Sequence, residues 1–520
     1  MRGISFVASR VLAGLMAIGM TAALAADDQR ALKARTAGDV LAWSAENGRL
    51  RPVMETFPKG GDIHNHLSGA IYAETWLDWA AEDGLCADMS VPAIRMKKAD
   101  SCEASGWITA SAARANKDHR RDIINSLSNR SYVPTLNWSG HDDFFVIFDR
   151  KAASPKRFGD QLAEVARRAG QQNILYLELM ETTILGELFP LVGNVKLSGD
   201  LDKDYKTLMG GAFGAAVPEL VASARKQIKA AYEKKDKLLK CGTPEADAGC
   251  DVEIRLLHQV VREFEPALVY AQFILGWQMM ADEPMVVGAN LVAPEDGYIA
   301  LRDYTLHMRM IDYLYRNIGP RNISLHAGEL TIGLTRPKQL DFHIREAIDI
   351  GHAKRIGHGV AIVYEDGMEE LLERMVKDDI MVEINLTSNE TILGVSGLDH
   401  PIVLYRDMQV PYALSTDDEG VSRIDLTHEY MRFYQDYGVP YFEMRHASRN
   451  SLTYSFLDGD SIWKNEACAH DVDAGTPPSA ACQTLLDGSE KARMQWKLEE
   501  RFRTFEDNLR IPVRKRTSFN

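Results

Sequence analysis

The chain has 520 residues, 45% of them hydrophobic, enough for one large barrel with elaborations or for two or three ordinary domains. A formal charge of −14 argues against nucleic acid as a partner, because phosphates require a basic surface. No C-x-x-C spacing occurs, which removes zinc ribbons and thioredoxin-like motifs, and there is no repeat array or low-complexity tract.

At the N-terminus, Arg2 and Arg10 precede an apolar, uncharged run over 11–24 that ends in Ala23-Leu24-Ala25. This reads as a secretory signal over 1–25, and the run falls short of the roughly 20 residues a bilayer-spanning helix needs. Its removal takes the formal charge from −14 to −16, since Arg2 and Arg10 are the only charges before Asp27. The expectation is a periplasmic or secreted protein with no membrane association once the signal is gone.

Beyond it, short β-rich runs at 61–66, 174–181, 252–258, 285–292, 323–326, 355–358, 381–385 and 412–415 alternate with amphipathic helical stretches. Eight such units in one chain predict an α/β fold of the (β/α)8 TIM-barrel type, as a single domain over 26–520. The alternative, an open doubly wound sheet, lacks the glycine fingerprint or P-loop that would support it. Two insertions, about 80–173 after the first strand and 183–250 after the second, are expected to be helical and to shape the barrel mouth. A helical cap is expected over about 425–520: helix over 425–457, a polar loop holding Cys468 and Cys482, then a charged helix over 489–509. Six cysteines admit fifteen connectivities, of which the local pairs Cys86–Cys102, Cys241–Cys250 and Cys468–Cys482 are preferred by proximity.

Chemistry-bearing residues gather where these strands end. The first ends in Asp62-Ile63-His64-Asn65-His66, and strand alternation puts both histidines on one face. The fifth ends in His326-Ala327-Gly328-Glu329, the sixth carries His358 between Gly357 and Gly359, and the eighth runs into Asp417-Asp418-Glu419. Each has an ordinary reading taken singly, as core histidine or acidic turn. Four strand ends delivering imidazoles and carboxylates to one barrel face together point to a metal site.

The segments P-K-G-G-D-I-H-N-H-L-S-G-A at 58–70, S-L-H-A-G-E at 324–329, R-I-G-H-G at 355–359 and S-T-D-D at 415–418 resemble the adenosine deaminase family, in the family's order, over about 55–430. The export signal, insertions and cysteines look most like its secreted, growth-factor-related branch. The resemblance implies one zinc ion per chain held by His64, His66, His326 and Asp417, with Glu329, His358 and Asp418 catalytic. It implies attack of a zinc-activated water on C6 of a purine nucleoside. His358 would orient and help deprotonate that water, Glu329 would protonate ring N1, and Asp418 would grip N7. The signature of the cytidine-type deaminases, H-x-E with P-C-x-x-C, is absent.

Two departures touch substrate reading. Ser68 stands where many members carry an aspartate that binds the sugar, and Ala293 stands where a glycine amide contacts the purine. Both are expected to line the pocket. Adenosine, 2'-deoxyadenosine and modified adenine nucleosides stay open, and a homodimer is compatible with the sequence. Two alternatives also stand: another zinc hydrolase of the amidohydrolase superfamily, and a nucleoside-binding or signalling protein that has lost turnover. The segment His141-Asp142-Asp143-Phe144-Phe145 reads first as helix packing and second as a lid, and His258 is a candidate to border the pocket.

Overall fold

The computed structural model describes residues 36–98, 102, 107–152 and 155–509; the expected signal segment lies outside them. The first strand, β1 (Gly60–His66), opens the barrel. The insertion that follows holds a small antiparallel sheet, β2 (Leu85–Asp88), β3 (Ala93–Lys98) and β4 (Ile108–Thr109), in the order β3-β2-β4. Barrel strands resume with β5 (Ile174–Glu181), β6 (Glu253–Val261), β7 (Val286–Val292), β8 (Ser324–Ala327), β9 (Arg355–His358), β10 (Met381–Ile384) and β11 (Tyr412–Leu414).

All eight barrel strands pair in parallel, β1-β5-β6-β7 in one run and β8-β9-β10-β11 in another. Parallel bridges Ala289–Ile323 and Asn65–Asp417 join the two seams, so the strands form a ring. Buried on both faces, such strands read as apolar runs like Ile-Leu-Tyr-Leu in β5, with the outward residues packed under helices.

The barrel interior is not wholly apolar. Arg355 is fully buried between Glu178 (2.7 Å) and Glu383 (2.6 Å), and the Phe456 ring lies 3.9 Å from its guanidinium. The Phe456 backbone N–H donates to Glu178 Oε1 at 2.6 Å, so the segment after the helix Tyr441–Thr453 closes the barrel floor. A buried charge this deep is tolerable only when paired and hydrogen-bonded, and every group in this layer is.

The structure corrects three expectations about the appendages. The first insertion is not purely helical: β2, β3 and β4 are six residues or fewer, too short for their alternation to stand out. The second insertion lies on the flank, its helix Ala212–Leu238 packing against Phe158–Gln171 and Pro266–Asp282, and adds no described residue to the cavity at the mouth. In the tail, Cys468 and Cys482 sit within helices Glu466–Ala474 and Ala480–Gly488 rather than in a polar loop. The three local disulfides are present as expected. Among the described residues no single helix is long and apolar enough to cross a membrane; only Leu201–Gly210 and Ala212–Leu238 taken together pass, across a 70° bend.

Candidate metal centre

At the C-terminal ends of the barrel strands lies a cavity of about 640 Å³. Its inner end is built by β1, β8, β9 and the turn after β11. His64 and His66 point inward from β1, and His326 from β8; the His66 and His326 Nε2 atoms are 3.2 Å apart. Asp417 Oδ1 stands 3.4 Å from His64 Nε2 and 3.3 Å from His66 Nε2. The ligand-type atoms of His64, His326, His358 and Asp417 all lie within 4.8 Å of one another.

Each of the three imidazoles is held by its other nitrogen. His64 Nδ1 pairs with Glu383 Oε2 at 2.5 Å, His66 Nδ1 with Gln259 Oε1 at 2.8 Å, and His326 Nδ1 with Asn290 Oδ1 at 2.7 Å. All three partners are acceptors, so each Nδ1 is the protonated nitrogen and each Nε2 presents its lone pair to the same point. The Nε2 of His64 is fully buried and has no hydrogen-bond partner. Three converging imidazole lone pairs and one carboxylate are a donor set that suits a tetrahedral zinc site, so these residues fit the metal.

Local charge agrees. Burial lowers the affinity of His64 for a proton, but the carboxylates of Asp417 and Glu383 outweigh it and raise its pKa to about 10; positive charge is favoured here. Asp417 is buried yet held well below the usual carboxylate range by His64 and His66. Burial and the neighbouring Asp417 charge push Glu329 well up and Asp418 up to about 7, so both can hold a proton near neutrality.

Glu329 Oε1 faces His358 Nε2 at 3.6 Å, and the backbone amides of Gly328 and Glu329 donate to the buried Glu295 carboxylate at 3.0 and 2.7 Å. Arg262 anchors two strand ends together, donating to the Ala293 carbonyl at 2.9 Å and the His326 carbonyl at 3.3 Å. Ala293, His358 and Asp417 have φ of 85°, 67° and 60°, left-handed backbone gathered at one site. Gly69 is required beside Asp418: a Cβ there would lie 1.2 Å from Asp418 Oδ1.

The residues given metal, catalytic and substrate-lining roles from the sequence all meet here. His66, His326, Glu329, Asp417 and Asp418 line the cavity together with Ser68 and Ala293, while His64 and His358 stand just beneath. The Ser68 carbonyl accepts from Lys151 Nζ at 2.9 Å. The helix Gly140–Arg150 packs as expected, Phe144 and Ile147 against Ile392 and Val421, and its His141, Phe145 and Phe148 wall the cavity. His141 Nε2 reaches Asp296 at 2.8 Å and fastens this wall to the loop after β7. His258 is corrected: it points out of the barrel, with Nε2 3.0 Å from the Gln272 carbonyl, and takes no part.

Sequence reasoning missed Glu383, Gln259, Asn290, Arg262, Glu295 and Ser388, whose hydroxyl donates to Asp417 Oδ2 at 2.6 Å. For Glu383, Gln259 and Asn290 the signal was a polar residue inside a barrel strand, as in Met-Val-Glu-Ile of β10; Arg262, Glu295 and Ser388 lie just beyond strand ends and carried none.

Fold and site together define a class: a (β/α)8 barrel with a metal-competent histidine and carboxylate centre at its C-terminal mouth. Residues 216–467 match the adenosine deaminase family model. It is 29% identical over 208 residues to an adenosine deaminase of Pectobacterium atrosepticum, covering 40% of this chain and 56% of that one. The chain thus spans about half the length of the curated relatives it matches. Among solved structures, an Arabidopsis N6-mAMP deaminase superposes with a TM-score of 0.51 at 21% identity, over 78% of this chain and 95% of that one. A zinc-bound amidohydrolase from Burkhoderia ambifaria gives 0.50 at 16% identity, over 82% and 94%. These structural likenesses establish the fold.

Proposed function

We propose that this chain is a zinc-dependent aminohydrolase that converts adenosine or a related adenine nucleoside, with water, to the 6-oxopurine nucleoside and ammonia. The observation that carries the reading is the convergence of His64, His66, His326 and Asp417 with Glu329, His358 and Asp418 at the floor of one aromatic-walled cavity. One zinc ion held by the first four would supply Lewis-acid activation of water. Glu329, kept protonated by burial, is placed to give its proton to ring N1, and Asp418, also protonated near neutrality, to donate to N7. Phe145 and Phe148 offer flat apolar surface to a purine.

The lining also supports a choice between nucleoside and nucleotide. Its acidic side chains are Asp142, Asp149, Glu329, Asp417 and Asp418, with Asp142 and Asp417 held ionised, and no Lys or Arg among the described residues lines it. A 5'-phosphate would meet acids and no cation, so an uncharged nucleoside is preferred over its monophosphate. The test is the ultraviolet change that accompanies 6-aminopurine hydrolysis, followed with adenosine, 2'-deoxyadenosine, adenine and AMP on metal-analysed protein. Chelator-sensitive turnover with nucleosides ahead of AMP is expected. Absence of turnover with one zinc bound would transfer the reading to another hydrolase or to a binding role.

Export to the periplasm or medium is part of the same proposal, supported by the residues of the N-terminal segment and by three disulfides, which persist in oxidising compartments. Intact-mass measurement of protein recovered from its natural host is expected to show a chain beginning at Ala26.

A further inference from the structure

Behind His358 runs a chain of buried hydrogen bonds that ends at a backbone group whose polarity is fixed. The Ile402 N–H donates to His400 Nδ1 at 3.1 Å. That nitrogen is therefore an acceptor, and the proton of the neutral ring lies on Nε2. His400 Nε2 is 2.9 Å from Asn389 Oδ1, so it donates there. The amide orientation of Asn389 is then set, and its NH2 group faces His358 Nδ1 at 2.8 Å. Asn389 is fully buried and His400 nearly so, and burial pushes His400 down to about 3, consistent with a neutral ring.

We propose that Asn389 and His400 are positioning residues that fix the tautomer of His358, so that it presents an Nε2–H donor, and not a proton-accepting nitrogen, to the floor of the cavity. Reversing the chain would set two donors face to face between Asn389 and His400 in a dry interior. Ring Nε2 of His358 points to the carboxylate oxygen Asp417 Oδ2 at 4.0 Å, an acceptor, and to the Glu329 carboxyl at 3.6 Å, whose unprotonated oxygen can accept. Asn385 Nδ2 stands 3.5 Å from the same nitrogen while Asn385 Oδ1 is buried without a hydrogen-bond partner, so turning this amide by 180° pairs the orphaned oxygen with the Nε2–H. His358 then serves as a hydrogen-bond donor to an oxygen nucleophile in the site, a role different from the proton acceptor that resemblance implies. The positive φ of His358 keeps the ring in this line between Asn389 and the cavity.

The kinetic arm of the test rests on the deaminase reading; the spectroscopic arm does not. Full-length, zinc-reconstituted protein labelled with 15N-histidine is examined by NMR, and the His358 signals are assigned by their loss in His358→Gln. The expected spectrum shows a proton on Nε2 and none on Nδ1; a protonated Nδ1 overturns the proposal. Asn389→Asp puts an acceptor opposite Nδ1, and is expected to move the proton there and lower kcat about 100-fold with little change in KM. His400→Gln retains one donor and one acceptor and is expected to keep the wild-type nitrogen pattern, whereas His400→Leu loses it. An Asn389→Asp protein with both nitrogen shifts and kcat unchanged would also overturn it. Should these buried variants fail to fold, the wild-type spectrum alone decides, and it decides equally if no adenine nucleoside proves to be a substrate.

Discussion

Replacing Glu329 by Gln keeps the side chain's size and removes the proton that burial beside Asp417 lets it hold. Glu329→Gln is expected to retain zinc by metal analysis and to lose turnover by about 100-fold or more, whereas His326→Ala is expected to lose the metal itself. Full activity in either purified variant would defeat the assignment. Glu383 acts one bond further out, receiving both His64 Nδ1–H and the Arg355 guanidinium. Glu383→Gln keeps an acceptor but loses the charge, and a fall in zinc affinity of about 10-fold to 100-fold is expected in competition with a chromogenic chelator. The primary residues of the site were legible in the sequence because they stand in glycine-rich strand-end motifs. Glu383, Gln259 and Asn290 were not, because each partners a histidine that is distant in the chain and sits in a strand with no motif around it.

The helix Gly140–Arg150 depends on its first turn. Ser139 and Asp142 form a reciprocal capping box, with Ser139 Oγ accepting from the Asp142 N–H and the Asp142 carboxylate accepting from the Ser139 N–H. Ser139→Ala removes one half of it at a cost of about 1 kcal/mol to the helix. Since Phe145 and Phe148 of this helix wall the cavity, KM for the nucleoside is expected to rise several-fold while kcat changes less. An unchanged KM would mean that the helix is held by Phe144 and Ile147 alone. At this scale the eight barrel strands could be read in advance, since short, largely apolar runs alternate with helical periods and several end in recognisable motifs. The sheet of β2, β3 and β4 could not: Leu-Cys-Ala-Asp and a two-residue strand carry no period, and the pairing between them is set by tertiary packing.

Two buried neutral histidines outside the metal centre, like His400 behind it, give up stability when acid forces a proton onto them. Burial lowers both His258 and His307 to about 4, against 6.5 for the free side chain. Between these values the unfolded chain binds protons at these two sites that the folded chain does not, so their contribution to stability rises with pH from about 4 to 6.5 and is flat above, opposite in sign to that of buried carboxyls such as Glu181 and Glu429, raised to about 7. Each group accounts for about 3 kcal/mol across that window. In urea unfolding at pH 5 and pH 8, His258→Gln is expected to shift the stability difference between the two pH values in favour of pH 5 relative to the wild type; the same difference in both proteins would refute it. The ring has one more property. Its first and last strands are joined backbone to backbone where Asp417 N–H donates to the His64 carbonyl and His66 N–H donates to the Asp417 carbonyl, with Thr416 hydrogen-bonded to Asp62 and Asn65 beside them, so the seam is stitched in part by the very residues that would grip the ion. The bound cation would then act as a clasp on the closure of the polypeptide: neither half-barrel holds a complete site, and the fold cannot finish its circle without also assembling its chemistry.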